Sequence, residues 1–229
     1  MRTTTIQING EPFTYQDEID DITYETIIPI SDSEAKELLE LTQLLFSQKG
    51  LRFSLVFGTL LGAVRDKGVI KGDEDVDVFV ESEEKLRSIL PFLQQNGLCL
   101  CRIYDNKLYS FRVRGGKYFI DIYIKRPVAG IWGKRYCYLC GYVLPKRLIA
   151  RFSPISFLGS TYLAPRKPER FLEFWYGKSW RIPISGDHSK HGSTLYDKWK
   201  STRGKAKARR VWIIFKTVIK QLLAGKKVY

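Results

Sequence analysis

The sequence predicts a mixed α/β (α+β) domain, a mixed sheet flanked by helices. Short runs rich in β-branched and aromatic residues alternate along the chain with segments that are apolar at helical spacing. With 229 residues, 44% of them hydrophobic, the chain has enough apolar material for one generous domain with an extension. No internal repeat is present, which argues against a solenoid or propeller.

The elements follow in order. Residues 1–30 are polar, with alternation around Thr4, Ile6 and Ile8, and read as an N-terminal extension holding a short strand or hairpin. Ser31-Asp32-Ser33-Glu34 is a capping-box pattern. It opens a helix carrying Ala35, Leu38, Leu39, Leu41, Leu44 and Leu45, closed at Gly50. Residues 52–57 form a short apolar strand, Gly58-Thr59 a turn, and residues 60–65 the start of a helix broken at Lys67-Gly68. Residues 75–80 are the next strand, and residues 82–96 one amphipathic helix with Glu83 and Glu84 in its favourable first turn. Residues 98–104, 107–114 and 117–125 form a strand meander, with Gly115-Gly116 as a two-residue hairpin turn. Residues 136–144 make one further strand, and residues 145–183 are irregular with short helical pieces. The main domain is expected over 31–197.

Charge is uneven. The net charge is +14, yet residues 198–229 carry 11 Lys and Arg and no acid, leaving +3 for the rest. Residues 211–223 set Val211, Ile214, Phe215, Val218 and Leu222 on one helical face. This basic amphipathic C-terminal helix has three readings: packing on the domain, lying on an anionic membrane surface, or docking a partner. Nucleic acid is a weaker expectation, since the tail has no aromatic-interleaved basic motif beyond Trp212. No run approaches the ~20 apolar residues of a membrane span. Met1–Gly10 lacks the apolar core of a secretory signal. The expectation is a cytoplasmic protein, peripheral at the inner face of the membrane through 198–229.

The chemistry concentrates between Gly58 and Val80. Asp73, Glu74, Asp75 and Asp77 put four carboxylates into five positions. On a strand, Asp75 and Asp77 share a face, and two like charges there resist burial unless a cation offsets them. Two carboxylates, completed by phosphate and water, suit Mg²⁺, with Mn²⁺ as the alternative. Gly58-Thr59 reads as a phosphate seat between strand and helix. Asp121, alone in the β-forming run 118–124, is a third acid that binds metal or acts as general base. Glu74 is expected to face away from the metal.

These residues resemble a known family. Gly58-Thr59-Leu60-Leu61-Gly62-Ala63-Val64-Arg65, Gly68-Val69-Ile70 and Asp73-Glu74-Asp75-Val76-Asp77-Val78 look like the signature of the LicD family, which includes bacterial phosphocholine transferases and fukutin-type enzymes. Ile120-Asp121-Ile122-Tyr123 resembles the family's second acidic strand, and Phe157-Leu158-Gly159-Ser160 through Pro183 its C-terminal block. The resemblance implies a nucleotidyltransferase-like fold and Mg²⁺-dependent transfer of phosphocholine or an alditol phosphate from a CDP-linked donor to a glycan hydroxyl, with CMP leaving. It implies that Asp75 and Asp77 hold metal, that Asp73 supports them in catalysis, and that Asp121 is the third acid. By the same match Gly58 and Thr59 contact phosphate, and Arg65 a phosphate or a nearby carboxylate. Lys71 stands where the family commonly has an aromatic before its first acid, and is assigned to substrate binding. Asp66 replaces a common His. The alternatives are nucleotidyl transfer to a small molecule or protein, and a non-enzymatic nucleic-acid binder.

Other motifs carry less. His188 and His191 are candidates for binding donor phosphate or acceptor, or a plain surface pair. Phe171, Phe174, Trp175 and Trp180 read as packing rather than a choline cage. Arg166, Lys167 and Arg170 read as solvated rather than facing a diphosphate. Cys99, Cys101, Cys137 and Cys140 have a pattern that can be compared with structural zinc sites, but C-x-C is not a usual zinc spacing, which favours four reduced cysteines filling space.

Overall fold

A five-stranded mixed sheet carries the site. Its strands are β3 (Ser54–Leu55), β4 (Asp75–Val80), β5 (Leu98–Tyr104), β6 (Leu108–Val113) and β7 (Phe119–Ile124), in the order β3-β4-β7-β6-β5. Only β4 and β7 run parallel; the other neighbours are antiparallel. The computed structural model describes residues 2–18, 28–105 and 107–183. The chain divides into two compact units, Met1–Pro168 and Glu169–Tyr229. His188, His191 and the basic helix expected over 211–223 lie outside the described residues. Among the described residues no helix is long and apolar enough to cross a membrane.

The N-terminal extension is a hairpin, β1 (Arg2–Ile8) with β2 (Glu11–Asp17), turning at Asn9-Gly10, both at positive φ. Helix α1 (Asp32–Gln48) starts at the expected capping box: Ser31 Oγ accepts from Glu34 N–H, and the Glu34 carboxylate accepts from Ser31 N–H. Its core face is Ala35, Leu38, Leu39, Thr42, Leu45 and Phe46. Leu44, expected on that face, is 54% exposed.

Several expected elements differ. The helix over 82–96 is two helices, α3 (Glu83–Ser88) and α4 (Leu90–Gln95), because Pro91 offers no N–H and its ring opposes the carbonyl one turn back. The β6–β7 connection is wider than a two-residue turn, since pairing ends at Phe111 and Ile120. The single strand over 136–144 is a hairpin, β9 (Tyr136–Leu139) and β10 (Tyr142–Pro145), reversing at Cys140-Gly141 with φ of 51° and 78°. β8 (Arg126–Pro127) completes that three-stranded sheet. The stretch after 145 contains another hairpin, β11 (Phe152–Phe157) with β12 (Ser160–Pro165), turning at Leu158-Gly159. In the second unit, α5 (Pro168–Tyr176) stacks Phe171 on Trp175, rings 6.0 Å apart and nearly parallel.

The sheet has one dry face and one polar face. Val76, Val78, Ile120, Ile122, Tyr109, Phe111, Leu98 and Leu100 form the dry face, each at most 3% exposed. Alternation sends Asp75, Asp77 and Asp121 to the other. That second face is partly covered as well: Phe79 lies 5.8 Å from the Phe152 ring, and Phe57 meets the Tyr123 ring edge-on at 4.8 Å.

Candidate active site

Four strands each place one polar residue in a row across the sheet. Asp77 on β4 is in register with Asp121 on β7, Asp121 with Ser110 on β6, and Ser110 with Arg102 on β5. Ser110 Oγ donates to Asp121 Oδ1 at 2.5 Å. The Arg102 guanidinium donates to Ser110 Oγ at 3.0 Å and reaches both Asp121 oxygens at 3.4 and 3.5 Å. Burial pushes the Asp121 carboxyl up, and Arg102 and Ser110 pull it back. Arg102 and Ser110 were not among the residues expected from sequence. Arg102 reaches this face only because β5 has a bulge between Leu100 and Arg102. Without the extra residue, Cys101 would oppose Ser110 and Arg102 would point to the dry face.

Asp77, 8% exposed, is held by the start of the helix before it. That helix, α2 (Phe57–Leu61), continues as a π-helical turn over Gly62–Asp66. Gly58 N–H donates to Asp77 Oδ2 at 2.9 Å, and Asp77 N–H donates to Thr59 Oγ1 at 2.7 Å. Gly58 and Thr59 therefore lie inside the first turn of the helix rather than in a turn before it. Both residues, expected on phosphate, also hydrogen-bond Asp77. Phe57 supports this arrangement with φ of 46°, an uncommon conformation for a bulky side chain.

Asp73 converges on the same point. A Cβ added to Gly58 would meet Asp73 Oδ2 at 2.9 Å and Asp77 Oδ2 at 3.1 Å, so the absent side chain leaves a cradle between two carboxylates. The loop bearing Asp73 is fixed from outside: Ile30 N–H donates to the Asp73 carbonyl at 2.8 Å, and Val69 N–H to the Asp32 carboxylate at 2.7 Å. Asp75, half-buried on the same face as Asp77, has its carboxyl pushed well up by burial and then by Asp77, Asp121 and Asp73. Asp77 is pushed well up by burial, Asp73 and Asp121, against the opposing hydrogen bonds of Gly58 and the Tyr123 hydroxyl.

This donor set suits a hard divalent cation. All the atoms offered are carboxylate oxygens, and their mutual repulsion is what a cation would relieve. Among the described residues no three His, Cys, Asp or Glu side chains cluster as a complete metal cage. Mg²⁺ does not need one, because it commonly takes one or two carboxylates and fills its octahedron with substrate phosphate and water.

The other candidates fall elsewhere. Arg65 grips Asp66 with two hydrogen bonds of 2.7 Å, a nearby carboxylate of the kind the resemblance allowed. Lys71 is exposed in the turn before Asp73. Cys99 and Cys101 lie on β5, Cys137 and Cys140 at the β9–β10 hairpin in a different sheet, all as free thiols. The Cys140 thiol is pushed up to about 12 by burial and by the charges of Asp77 and Asp121. The turn of this hairpin thus lies within electrostatic reach of the acid centre, which the cysteine spacing gave no sign of.

Comparison with known proteins fits this geometry. The chain is 26% identical over 211 residues to the ribitol-5-phosphate transferase FKTN of Mus musculus, covering 87% of this chain and 42% of that protein. FKTN of Homo sapiens is 26% identical over 182 residues. An uncharacterized protein of Rickettsia typhi is 36% identical over 100 residues, 42% of this chain and 30% of that one. The chain thus spans less than half the length of these curated relatives. Residues 50–167, which hold all four aspartates of the site and both partners of Asp121, match the model described as LicD/FKTN/FKRP, nucleotidyltransferase domain, and the chain belongs to that family.

Proposed function

We propose that this chain transfers a phospho-alcohol unit from a CDP-linked donor to a hydroxyl of a cell-surface glycan, with Mg²⁺ or Mn²⁺ bound by Asp75 and Asp77 beside Asp73. The observation that carries the reading is the convergence of Asp73 and Asp77 on the cradle at Gly58, with Asp121 in register one strand away. The name of the FKTN relative favours ribitol phosphate over phosphocholine as the unit transferred. In the proposed step the acceptor oxygen attacks the phosphorus that bears the alcohol. The bond from that phosphorus to the bridging oxygen breaks, and CMP departs with the electron pair. Asp121, kept in place by Arg102 and Ser110, takes the acceptor's proton. The cation, when bound, would supply positive charge against the diphosphate and the acids.

Incubating the purified chain with Mg²⁺, CDP-ribitol or CDP-choline, and glycan acceptors tests this directly. CMP release with a matching mass gain on the acceptor is expected, abolished by EDTA and reduced at least ~100-fold by Asp75→Asn. Release of pyrophosphate from CTP, with nucleotide left on the acceptor, would instead establish nucleotidyl transfer. An Asp75→Asn protein with full turnover would remove the site assignment.

A further inference from the structure

Residues 122–168 contain nine Lys and Arg and not one Asp or Glu. In the first third of this stretch a 3-10 turn, Gly130–Lys134, holds Ile131 at 77% exposure, the highest among the large exposed hydrophobic residues described. The turn is firmly built. A Cβ on Gly133 would collide with the Val128 carbonyl oxygen. Arg135 N–H donates to the Trp132 carbonyl at 3.0 Å, and the Trp132 ring leans on Tyr136 at 6.2 Å. A second short turn, Lys146–Leu148, is tied to the first: Lys146 N–H donates to the Arg135 carbonyl at 2.8 Å, and Lys146 Nζ reaches the Gly133 carbonyl at 3.4 Å. Lys134, Arg135 and Arg147, all exposed, thus stand on two turns joined to each other beside Ile131 in the chain. Lys125 and Arg126 pair with Glu81 and Glu83 and stand apart from this group.

We propose that this patch docks the protein on an anionic bilayer, with Ile131 and Trp132 at headgroup depth and Lys134, Arg135 and Arg147 toward the lipid phosphates. A projecting aliphatic side chain gains nothing from nucleic acid, which is held by grooves and stacking rings, but leaves water when pressed into a membrane interface. Trp beside it is the residue that favours that interface. Charge complementarity is one-sided over 47 residues, with no carboxylate of that stretch to repel an anionic surface. The location also has a consequence for the acid centre. β9 runs four residues from Tyr136 at the patch to Leu139 beside Cys140, roughly 10 Å of strand. A lipid-borne acceptor would thus be presented close to Asp77 and Asp121; this last point rests on the proposed function, whereas the docking does not.

The test is flotation of the full chain, residues 198–229 included, with phosphatidylcholine vesicles with and without phosphatidylglycerol. Ile131→Ser and the pair Lys134→Glu/Arg135→Glu should each weaken partitioning onto the anionic vesicles at least about tenfold. A charge-matched pair on exposed sites elsewhere, Arg52→Glu/Lys117→Glu, should change it less than about threefold. Brominated lipid should quench the wild-type tryptophan emission more than that of Trp132→Phe. Equal losses in the patch and control pairs, or no loss in either, would overturn the proposal. So would patch variants that lose RNA binding and keep vesicle binding. The readout needs no turnover, so its failure is separate from failure of the transferase reading. Thermal melts matching wild type would show that these exposed substitutions leave the fold intact.

Discussion

At Gly58 an added methyl group would press on Asp73 Oδ2 and Asp77 Oδ2 together. Gly58→Ala is therefore expected to keep the fold and misplace both acids, reducing turnover at least ~100-fold; a near-normal rate with unchanged Tm would contradict the cradle. Asp121 poses a different residue-scale problem, because it is buried and depends on Arg102 and Ser110 for compensation. Arg102→Met leaves a buried carboxyl without its cation, an expected loss of about 3 kcal/mol in urea unfolding. Most of that loss should disappear when Asp121→Asn is combined with it. The aspartates themselves were legible in the sequence, since acids alternating with valines place like charges together on one face of a half-buried strand. Gly58 and Thr59 were legible as special, but their bonds to Asp77 were not, because Asp77 lies 18 or 19 residues away on strand β4.

Among the elements, α1 was readable down to its capping box, because a cap is a local pattern of four residues. Ser31→Ala removes it, and about 1 kcal/mol of stability should go with it in denaturant melts. The effect should extend beyond α1, since Asp32 in its first turn holds Val69 in the loop that carries Asp73. The bulge in β5 was not readable. The Leu98, Cys99, Leu100, Cys101 alternation breaks at Arg102, where strict alternation would put a charge on the dry face, but the position of the extra residue appears only in the pairing with β6. The two late hairpins escaped for a similar reason. Their turns, Cys140-Gly141 and Leu158-Gly159, use a non-glycine residue at positive φ, which propensity alone does not signal.

For the molecule as a whole, the acid centre trades stability for chemistry. Asp75, Asp77 and Asp121 hold protons above the ordinary value of 3.8, chiefly through burial, with mutual repulsion adding to it at Asp75 and Asp77. From about pH 4 upward the folded protein therefore binds more protons than the unfolded chain. The stability these groups lend is full below about pH 4 and is lost as pH rises through their folded values. In EDTA, the Tm should fall as pH rises above about 4 more steeply for wild type than for Asp75→Asn, and Mg²⁺ should flatten the difference; equal slopes without metal would count against the cluster. The sequence by itself determined the α/β class, the acidic strand, the third acid and the family, because each rests on alternation or on short contiguous motifs. The tertiary structure alone decided that Gly58 and Thr59 hydrogen-bond Asp77, that Arg102 and Ser110 hold Asp121, and that Cys140 and the basic loop before it lie on one hairpin leading to the acids. Those relations arise from strand register and a bulge, which set neighbours across tens of residues and are not fixed by any local stretch of chain.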